Sequence, residues 1–293
     1  MNNFERRNLN KEEAYLISQY EHPITLEING QKIKIVDISP KELKTPIPTY
    51  FAGGFTHSAE DSKEGLIRTA EAGRRIIMPF SSHGVKTEEQ FGDLPNAEAR
   101  KLDLMMKIIE ARKIDRINVI ATSEGSIYTT AAVLAFPEKF RHIVLVEPAG
   151  LSGKVGILEL VKRFRENNKI QKKLETHPDK PRGIKDSKFD YNYSIAIRSI
   201  LSNPSASLKE ISAIADSDIV PALAEIHKLG IGVSIIASAE DKVFPSRELQ
   251  TRVKAGDIDG VYVVWGAHGN YYLYEPYGKA VETALTALEK KYS

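Results

Sequence analysis

The chain has 293 residues, enough for one large α/β domain or for two smaller domains. Its 41 Lys and Arg residues balance 39 Asp and Glu residues, so the overall charge favours neither nucleic acid nor an anionic membrane surface. There is no cysteine, which excludes disulfides, thiolate metal sites and a cysteine nucleophile. Because no apolar run is long enough for a membrane span and the N-terminal residues lack the apolar core of a signal peptide, a cytoplasmic location is expected.

A short helix and a β-hairpin are predicted first along the chain. Residues 10–20 predict a helix that is capped by Asn10. Residues 24–28 and 33–38 alternate between apolar and polar side chains, as strands do, and Asn29-Gly30 between them predicts a tight hairpin turn. We assign no function to these elements.

Strand and helix patterns alternate from residue 48 onward. Apolar runs predict strands over 48–51, 75–80, 117–120, 142–147, 232–238 and 261–265. Helical patterns cover 63–73, 96–113, 126–136 and 276–290. This alternation predicts an α/β fold with a mostly parallel sheet and helices on both faces, in which the active site lies beyond the carboxyl ends of the strands.

Residues 151–229 interrupt the alternation. Helices are predicted over 157–174 and 209–229, separated by a polar segment that contains proline, and no strand is predicted between them. We therefore predict a core formed by residues 1–150 and 230–293, with residues 151–229 inserted as a helical cap, or lid.

The predicted cap contains a basic segment. Residues 162–188 hold ten Lys or Arg residues against four Asp or Glu residues. The favoured interpretation is a solvated helical face; the alternative is a basic rim that steers anionic substrates or partners. A nucleic-acid or anionic-lipid site would rest on this segment alone, so no nucleic-acid partner is predicted.

A sharp turn around Ser123 is the most informative local pattern. The residues Ala121-Thr122-Ser123-Glu124-Gly125 form a G-x-S-x-G elbow with Ala in the first Gly position, between a predicted strand and a predicted helix. Small residues two positions before and after the serine are needed because the backbones pass closely there. The helix N-terminus favours a developing negative charge. Taken alone, the pentapeptide equally fits an ordinary turn with a serine N-cap.

Two further candidate residues, Asp241 and His268, each follow a late predicted strand, in the motifs Asp-Lys-Val-Phe-Pro and Gly-Ala-His-Gly. With Ser123 they stand in the order serine, acid, histidine. At this point the chain resembles the α/β-hydrolase superfamily, in particular its serine esterases and lipases, whose triad follows the same order. The resemblance covers about residues 23–150 and 230–293.

Other motifs carry the same resemblance. Gly53-Gly54-Phe55 is similar to the family's His-Gly-Phe oxyanion loop, and Ser82-His83-Gly84 is similar to its Gly-His-Gly loop. The turn Pro137-Glu138-Lys139-Phe140 also resembles the family at that position. Three positions depart from the family pattern: Ala121, Gly53 and Pro79. None of them removes a catalytic group, but the departure at Gly53 affects how firmly the oxyanion loop is held.

The resemblance implies a role for each of these residues. Ser123 would be the nucleophile, His268 its general base and later the acid, and Asp241 the residue that orients the imidazole. The backbone N–H groups of Phe55 and Glu124 would hold the oxyanion. No metal and no cofactor are implied.

Several alternatives stay open at this level. Glu147 is a rival to Asp241 as the acid, because some family members carry the acid after the preceding strand; Asp241 is favoured. The Glu124 side chain would select substrates, raise the pKa of His268 or point to solvent. His57 and His83 are expected to line the site, and the remaining histidines show no metal-binding spacing.

These inferences together predict a serine hydrolase that cleaves small-molecule carboxylic esters through an acyl-enzyme. A serine nucleophile argues against the dehalogenase and epoxide-hydrolase branches, which use Asp. Thioesterase, lactonase, amidase, carbon–carbon hydrolase and acyltransferase activities stay open. The alternative from another class is a ligand-binding protein of the same fold, or an acyltransferase, with little hydrolytic turnover.

Overall fold

The computed structural model describes residues 10–82, 90–175, 204–254, 256–269 and 275–293. His83 and Gly84, which the sequence placed near the site, lie outside the described residues. So does the part of the basic segment that follows residue 175.

In the described residues, one sheet of eight strands forms the centre of the molecule. Its strands are β1 (Ile24–Ile28), β2 (Gln31–Ile38), β3 (Thr49–Ala52), β4 (Ile76–Pro79), β5 (Ile117–Thr122), β6 (Phe140–Val146), β7 (Gly232–Ser238) and β8 (Gly260–Val264). Their order across the sheet is β1-β2-β4-β3-β5-β6-β7-β8. Strand β2 is antiparallel to β1 and β4, and every other neighbouring pair is parallel, which confirms the predicted mostly parallel sheet.

Helices cover both faces of this sheet. The described helices are α1 (Lys11–Glu21), α2 (Lys63–Glu71), α3 (Asn96–Ala111), α4 (Gly125–Ala135), α5 (Ile157–Glu175), α6 (Pro204–Asp216), α7 (Val220–Lys228), α8 (Ser246–Arg252) and α9 (Glu275–Lys291). Helices α3, α4 and α7 contribute to the apolar core on one face, and α1, α2 and α9 contribute to the core on the other. None of the helices in the described ranges combines the length and the apolar character that a membrane crossing requires.

Local sequence signals explain the first elements. The side chain of Asn10 accepts a hydrogen bond from the Glu13 N–H at 2.8 Å, as expected of the predicted helix cap. Asn29 and Gly30 take positive φ values of 50° and 67° between β1 and β2, the backbone that a tight two-residue hairpin requires. On α3, Leu102, Met105 and Ile109 are buried and Met106 is half-buried, so these four residues form a stripe that faces the core.

The helix predicted over 209–229 is wrong in one respect, because it is two helices. Helix α6 ends at Asp216, and α7 begins at Val220 with Pro221 in its first turn. Proline has no N–H to donate and its ring clashes with the carbonyl four residues earlier, so a single helix cannot run through Pro221 without a break. The first turn of a new helix accommodates proline readily.

The register of the parallel strands brings their carboxyl ends to one edge. Ala52 of β3 pairs with Ala121 of β5, and Thr122 of β5 pairs with Val146 of β6. Val264 of β8 is likewise paired with the last residue of β7. The loops that follow β3, β5, β6, β7 and β8 therefore begin side by side, where ligands bind in open α/β sheets.

Candidate active site

Ser123 lies in a strained turn between β5 and α4. Its φ is +49°, in the left-handed region that residues other than glycine rarely adopt. The turn is held from the β6 side, because the Ser123 N–H donates to the Val146 carbonyl at 2.9 Å and the Ser123 carbonyl accepts from the Ala149 N–H at 3.1 Å. Such strain persists only where surrounding contacts over-determine the backbone, and it is typical of functional positions.

The packing around this turn explains its small residues. A Cβ atom on Gly125 would lie 2.3 Å from the carbonyl oxygen of Ala52, far inside van der Waals contact. A Cβ on Gly54 would lie 3.0 Å from the Cβ of Ser123. Ala121 is fully buried at the first elbow position. The β3 loop therefore approaches the serine closely from the opposite side of the turn.

The structure brings Ser123, His268 and Asp241 into one hydrogen-bonded chain. His268 Nε2 lies 3.0 Å from Ser123 Oγ, and His268 Nδ1 lies 2.9 Å from Asp241 Oδ2. The other Asp241 oxygen accepts from the N–H groups of Val243 and Phe244 at 2.7 and 2.9 Å. Asp241 and His268 are buried. This is the geometry that allows an imidazole to take a proton from a serine hydroxyl.

A second carboxyl approaches the same ring nitrogen. Glu147 Oε2 lies 3.8 Å from His268 Nδ1, beyond hydrogen-bond distance, and accepts from the Gly269 N–H at 2.6 Å. Its other oxygen accepts from the Ser238 hydroxyl. The two acids weighed from the sequence therefore both face the imidazole, with Asp241 as the direct partner.

These neighbours shift the protonation of the site. Burial opposes a charge on His268, but the charge and hydrogen bond of Asp241, aided by Glu147, outweigh it and raise the pKa of the imidazole. Burial raises the pKa of Glu147 to about 7, although positive charge on His268 opposes that rise. Asp241 thus supplies the main negative charge behind the ring that stabilises an imidazolium, and Glu147 adds to it when it is ionised.

The loop after β3, which carries the candidate oxyanion donor Phe55, is held by hydrogen bonds to its backbone. The Tyr128 hydroxyl donates to the Gly53 carbonyl at 3.1 Å, and the His57 N–H donates to the Gly54 carbonyl at 3.0 Å. In the described part of the chain, neither the Phe55 N–H nor the Glu124 N–H donates to a protein acceptor. Within this part of the chain, neither N–H group is thus occupied by a protein acceptor, and the bonds from Tyr128 and His57 anchor the loop at Gly53 and Gly54.

His57 contributes a neutral ring beside the site. It is buried against the β3 loop, where a Cβ on Gly53 would lie 3.1 Å from the His57 Cβ. Burial, reinforced by repulsion from His268, lowers the pKa of His57 to about 3. His57 therefore stays uncharged over the range in which His268 titrates.

The Glu124 side chain does not point to solvent, one of the three roles considered from the sequence. It is fully buried, and its Oε1 lies 2.6 Å from the Lys101 Nζ. Glu210 Oε2 of α6 lies 3.3 Å from the same Nζ. Glu98 is also fully buried, and burial followed by the charge of Glu124 raises its pKa well above the ordinary value. A protonated Glu98 reduces the excess of negative charge around the single ammonium.

Comparison with known proteins finds similar structures but no similar sequences. No protein-family model matches the chain, and no curated protein matches its sequence. Among solved structures, a bromoperoxidase from Bacillus anthracis superposes with a TM-score of 0.62 at 17% identity, covering 92% of this chain and 99% of that chain. A carboxylesterase structure from Nitrososphaera gargenis gives a TM-score of 0.61 at 14% identity, with 92% and 100% covered. A meta-cleavage product hydrolase from Pseudomonas fluorescens gives 0.57 at 15% identity, with 92% and 98% covered.

The chain has the α/β-hydrolase fold. This confirms the fold class expected from the order of the motifs. The structural neighbours of this α/β-hydrolase fold are named for different reactions, so the fold does not by itself select the chemistry. The choice among reactions depends on the residues at the ends of β5, β7 and β8.

The buried ion cluster, formed by Glu98, Lys101, Glu124 and Glu210, was not predicted from the sequence. Glu98 and Lys101 lie four residues before the core positions Leu102 and Met105 of α3, so they share its buried side. Their charged side chains at core-facing positions could have indicated a buried ion pair, because such residues are almost never fully buried unless they are paired. The partners on α6 and after β5 are distant in sequence and gave no local pattern.

Proposed function

We propose that this protein is a serine hydrolase that cleaves carboxylic esters through an acyl-enzyme on Ser123. The supporting observation is the continuous chain from Ser123 Oγ through His268 to Asp241, with contacts of 3.0 and 2.9 Å. An alcohol at its ordinary pKa is a poor nucleophile, and an adjacent oriented base is what activates it.

The proposed reaction follows from these positions. Ser123 Oγ attacks the ester carbonyl carbon and passes its proton to His268 Nε2, while the N–H groups of Phe55 and Glu124 hold the oxyanion. Collapse of the intermediate breaks the bond to the alcohol, which leaves with the proton from His268. Water, deprotonated by the same imidazole, then attacks the acyl-enzyme and releases the carboxylic acid. Asp241 keeps the imidazole in the correct tautomer.

The proposal includes residues 151–229 as a helical cap over the site. The described helices α5, α6 and α7 lie between β6 and β7 in the chain, where they interrupt the strand–helix alternation. The Phe164 ring of α5 packs edge-on against the His268 ring, with centroids 6.0 Å apart. A hydrophobic wall of this kind would shield an acyl-enzyme from bulk water.

Labelling with a fluorophosphonate tests the proposed function. Intact mass and peptide mapping should show a single adduct on Ser123, because only an activated serine reacts rapidly. His268→Ala should abolish the adduct, whereas Ser126→Ala, which changes a buried serine in the first turn of α4, should label like the natural chain. A folded protein that takes up no label would contradict an assembled triad. Adduct formation without turnover of any ester would favour the binding-protein or acyltransferase alternative.

The two acids should differ sharply in their effect on turnover. Asp241→Asn removes the direct partner of His268 Nδ1 and should reduce kcat about 10⁴-fold. Glu147→Gln should cost less than about tenfold, since 3.8 Å is too long for a hydrogen bond. The reverse ranking would move the acid to Glu147.

The pH profile gives a second measure of the same pair. His268 must be neutral to act as a base, so kcat/KM should fall as pH drops through its pKa, with a midpoint above the ordinary value of 6.5. Glu147→Gln removes negative charge near the ring and should move this midpoint to lower pH. A midpoint that does not fall in Glu147→Gln would contradict the inference that the negative charge of Glu147 raises the pKa of His268.

A further inference from the structure

One face of α5 carries three polar residues at a regular spacing. Arg163, Asn167 and Gln171 follow one another at intervals of four residues, so they lie in a row along the helix. Asn167 and Gln171 are buried, with 2% and 9% of their surface exposed. Buried side-chain amides must find hydrogen-bond partners, and here the partners are the loops that carry Asp241 and His268.

Both backbone polar groups of His268 are bonded by this row. The His268 N–H donates to Asn167 Oδ1 at 3.0 Å, and the His268 carbonyl accepts from Asn167 Nδ2 at 3.0 Å. The same carbonyl also accepts from Gln171 Nε2 at 2.7 Å. The backbone of the predicted catalytic base is therefore held by α5 rather than by a neighbouring strand.

The same row holds the loop that carries Asp241. The Lys242 N–H donates to Asn167 Oδ1 at 3.4 Å, so one amide oxygen serves both loops. Arg163 Nη1 donates to the Val243 carbonyl at 3.2 Å, and the guanidinium forms a two-pronged ion pair with Glu248 at 3.1 and 3.2 Å. Helix α5 thus joins two loops that follow different strands.

We propose that Asn167 and Gln171 are positioning residues that align His268 with Asp241 and Ser123. The proposal rests on the proposed serine-hydrolase function, because it concerns the same imidazole. The Ser123–His268 and His268–Asp241 contacts depend on where the His268 backbone lies, and a shift of about 1 Å in such an arrangement costs about 100-fold in rate. Because α5 belongs to the inserted segment 151–229, packing of α5 against the core would hold the triad in its aligned arrangement.

Variants of α5 test this role against a matched control. Asn167→Ala removes three hydrogen bonds, and Gln171→Met removes one donor while preserving side-chain length. Asn168→Ala is the control, because in the described part of the chain the Asn168 side chain makes no hydrogen bond. Asn167→Ala should slow fluorophosphonate labelling of Ser123 and lower kcat by about 10- to 100-fold with little change in KM. Gln171→Met should cause a smaller loss, and Asn168→Ala should match the natural chain.

A readout that needs no substrate separates this inference from the proposed function. Titration of isotope-labelled histidines by NMR would follow the His268 pKa, which burial lowers and which Asp241, aided by Glu147, raises. His57, the other titratable group beside the site, stays neutral over this range because burial and His268 lower its pKa to about 3. Loosening the contact to Asp241 should lower that pKa in Asn167→Ala and leave it unchanged in Asn168→Ala.

A lower His268 pKa together with slower labelling supports the positioning role. An unchanged pKa and labelling rate in Asn167→Ala would overturn it, as would a lower melting temperature with no change in pKa. A natural chain that never labels would refute the serine-hydrolase proposal, while the titration would still decide whether α5 aligns the imidazole.

Discussion

Replacing Ser123 with Ala is expected to lower ester turnover by about 10⁴-fold or more while leaving the fold intact. The Ser123 hydroxyl lies 3.0 Å from His268 Nε2 and is the nucleophile in the proposed reaction. The backbone contacts that hold the turn, from Ser123 N to Val146 and from Ala149 to the Ser123 carbonyl, do not involve the side chain. Steady-state hydrolysis of a chromogenic ester, together with circular dichroism, would measure both parts of the prediction.

Two comparisons make this result specific. Ser126→Ala removes a buried hydroxyl three residues further along and should leave turnover close to that of the natural chain. Ser123→Ala should still bind substrate, because the oxyanion N–H groups of Phe55 and Glu124 remain. Full activity in Ser123→Ala would place the nucleophile elsewhere and would overturn the proposed mechanism.

Lys101→Met is expected to destabilise the folded protein by about 3–5 kcal/mol. The Lys101 ammonium is buried between Glu124 at 2.6 Å and Glu210 at 3.3 Å, with Glu98 close by. Removing it leaves buried carboxyls without their cation, which costs far more than losing a surface pair. Urea unfolding followed by circular dichroism would measure the loss.

Lys107→Met provides the matched control on the same helix. Lys107 is half-buried; its Nζ lies 3.4 Å from Asp103 and donates to Asn29 Oδ1 at 2.6 Å. Because Asp103 keeps its hydrogen bond from Asn29 Nδ2 at 2.9 Å, the loss of Lys107 should cost only about 1 kcal/mol. Adding Glu124→Gln to Lys101→Met should recover part of the stability, because it removes one of the unpaired carboxylates. Equal costs for the two lysine variants would show that the buried cluster contributes no more to stability than the partly exposed Lys107–Asp103 pair.

The loss of stability in Lys101→Met should depend on pH in a direction set by the buried carboxyls. Burial already raises the pKa values of Glu98 and Glu124, and losing the ammonium raises them further. A carboxyl with a raised pKa in the folded state contributes stability below its unfolded pKa, and that contribution is lost as pH rises through the folded pKa. The deficit of Lys101→Met should therefore be larger at pH 8 than at pH 5. A deficit that is equal at both pH values would contradict this account.

The order of the strands and helices could be predicted from the chain because it depends on local patterns. Apolar runs such as 232–238, the Asn29-Gly30 turn and the stripe on α3 each act within about ten residues. The elbow at Ser123 was also visible locally, since its small residues reflect a close approach of two backbones. These signals were sufficient for an α/β fold with a mostly parallel sheet, and the resemblance of the motifs around Ser123, Asp241 and His268 specified the α/β-hydrolase fold.

The relation between the acids and the histidine could not be predicted in the same way. Asp241 lies 27 residues and Ser123 lies 145 residues from His268 in the chain, and their distances depend on the register of β5, β7 and β8. Only the folded arrangement shows that Asp241 is in hydrogen-bond contact while Glu147 stands 3.8 Å away.

The sequence by itself determined the sheet, the covering helices and the order of the candidate residues, because these depend on periodicity and turn chemistry within single segments. The tertiary structure alone decided that Glu124 is buried against Lys101 and that Asn167 of α5 holds the backbone of His268. The reason is physical. A polar residue on a helix is expected to be solvated unless packing removes water from it, and its partner then depends on the three-dimensional arrangement of the chain. The partners are 23 residues apart for Lys101 and Glu124 and 101 residues apart for Asn167 and His268.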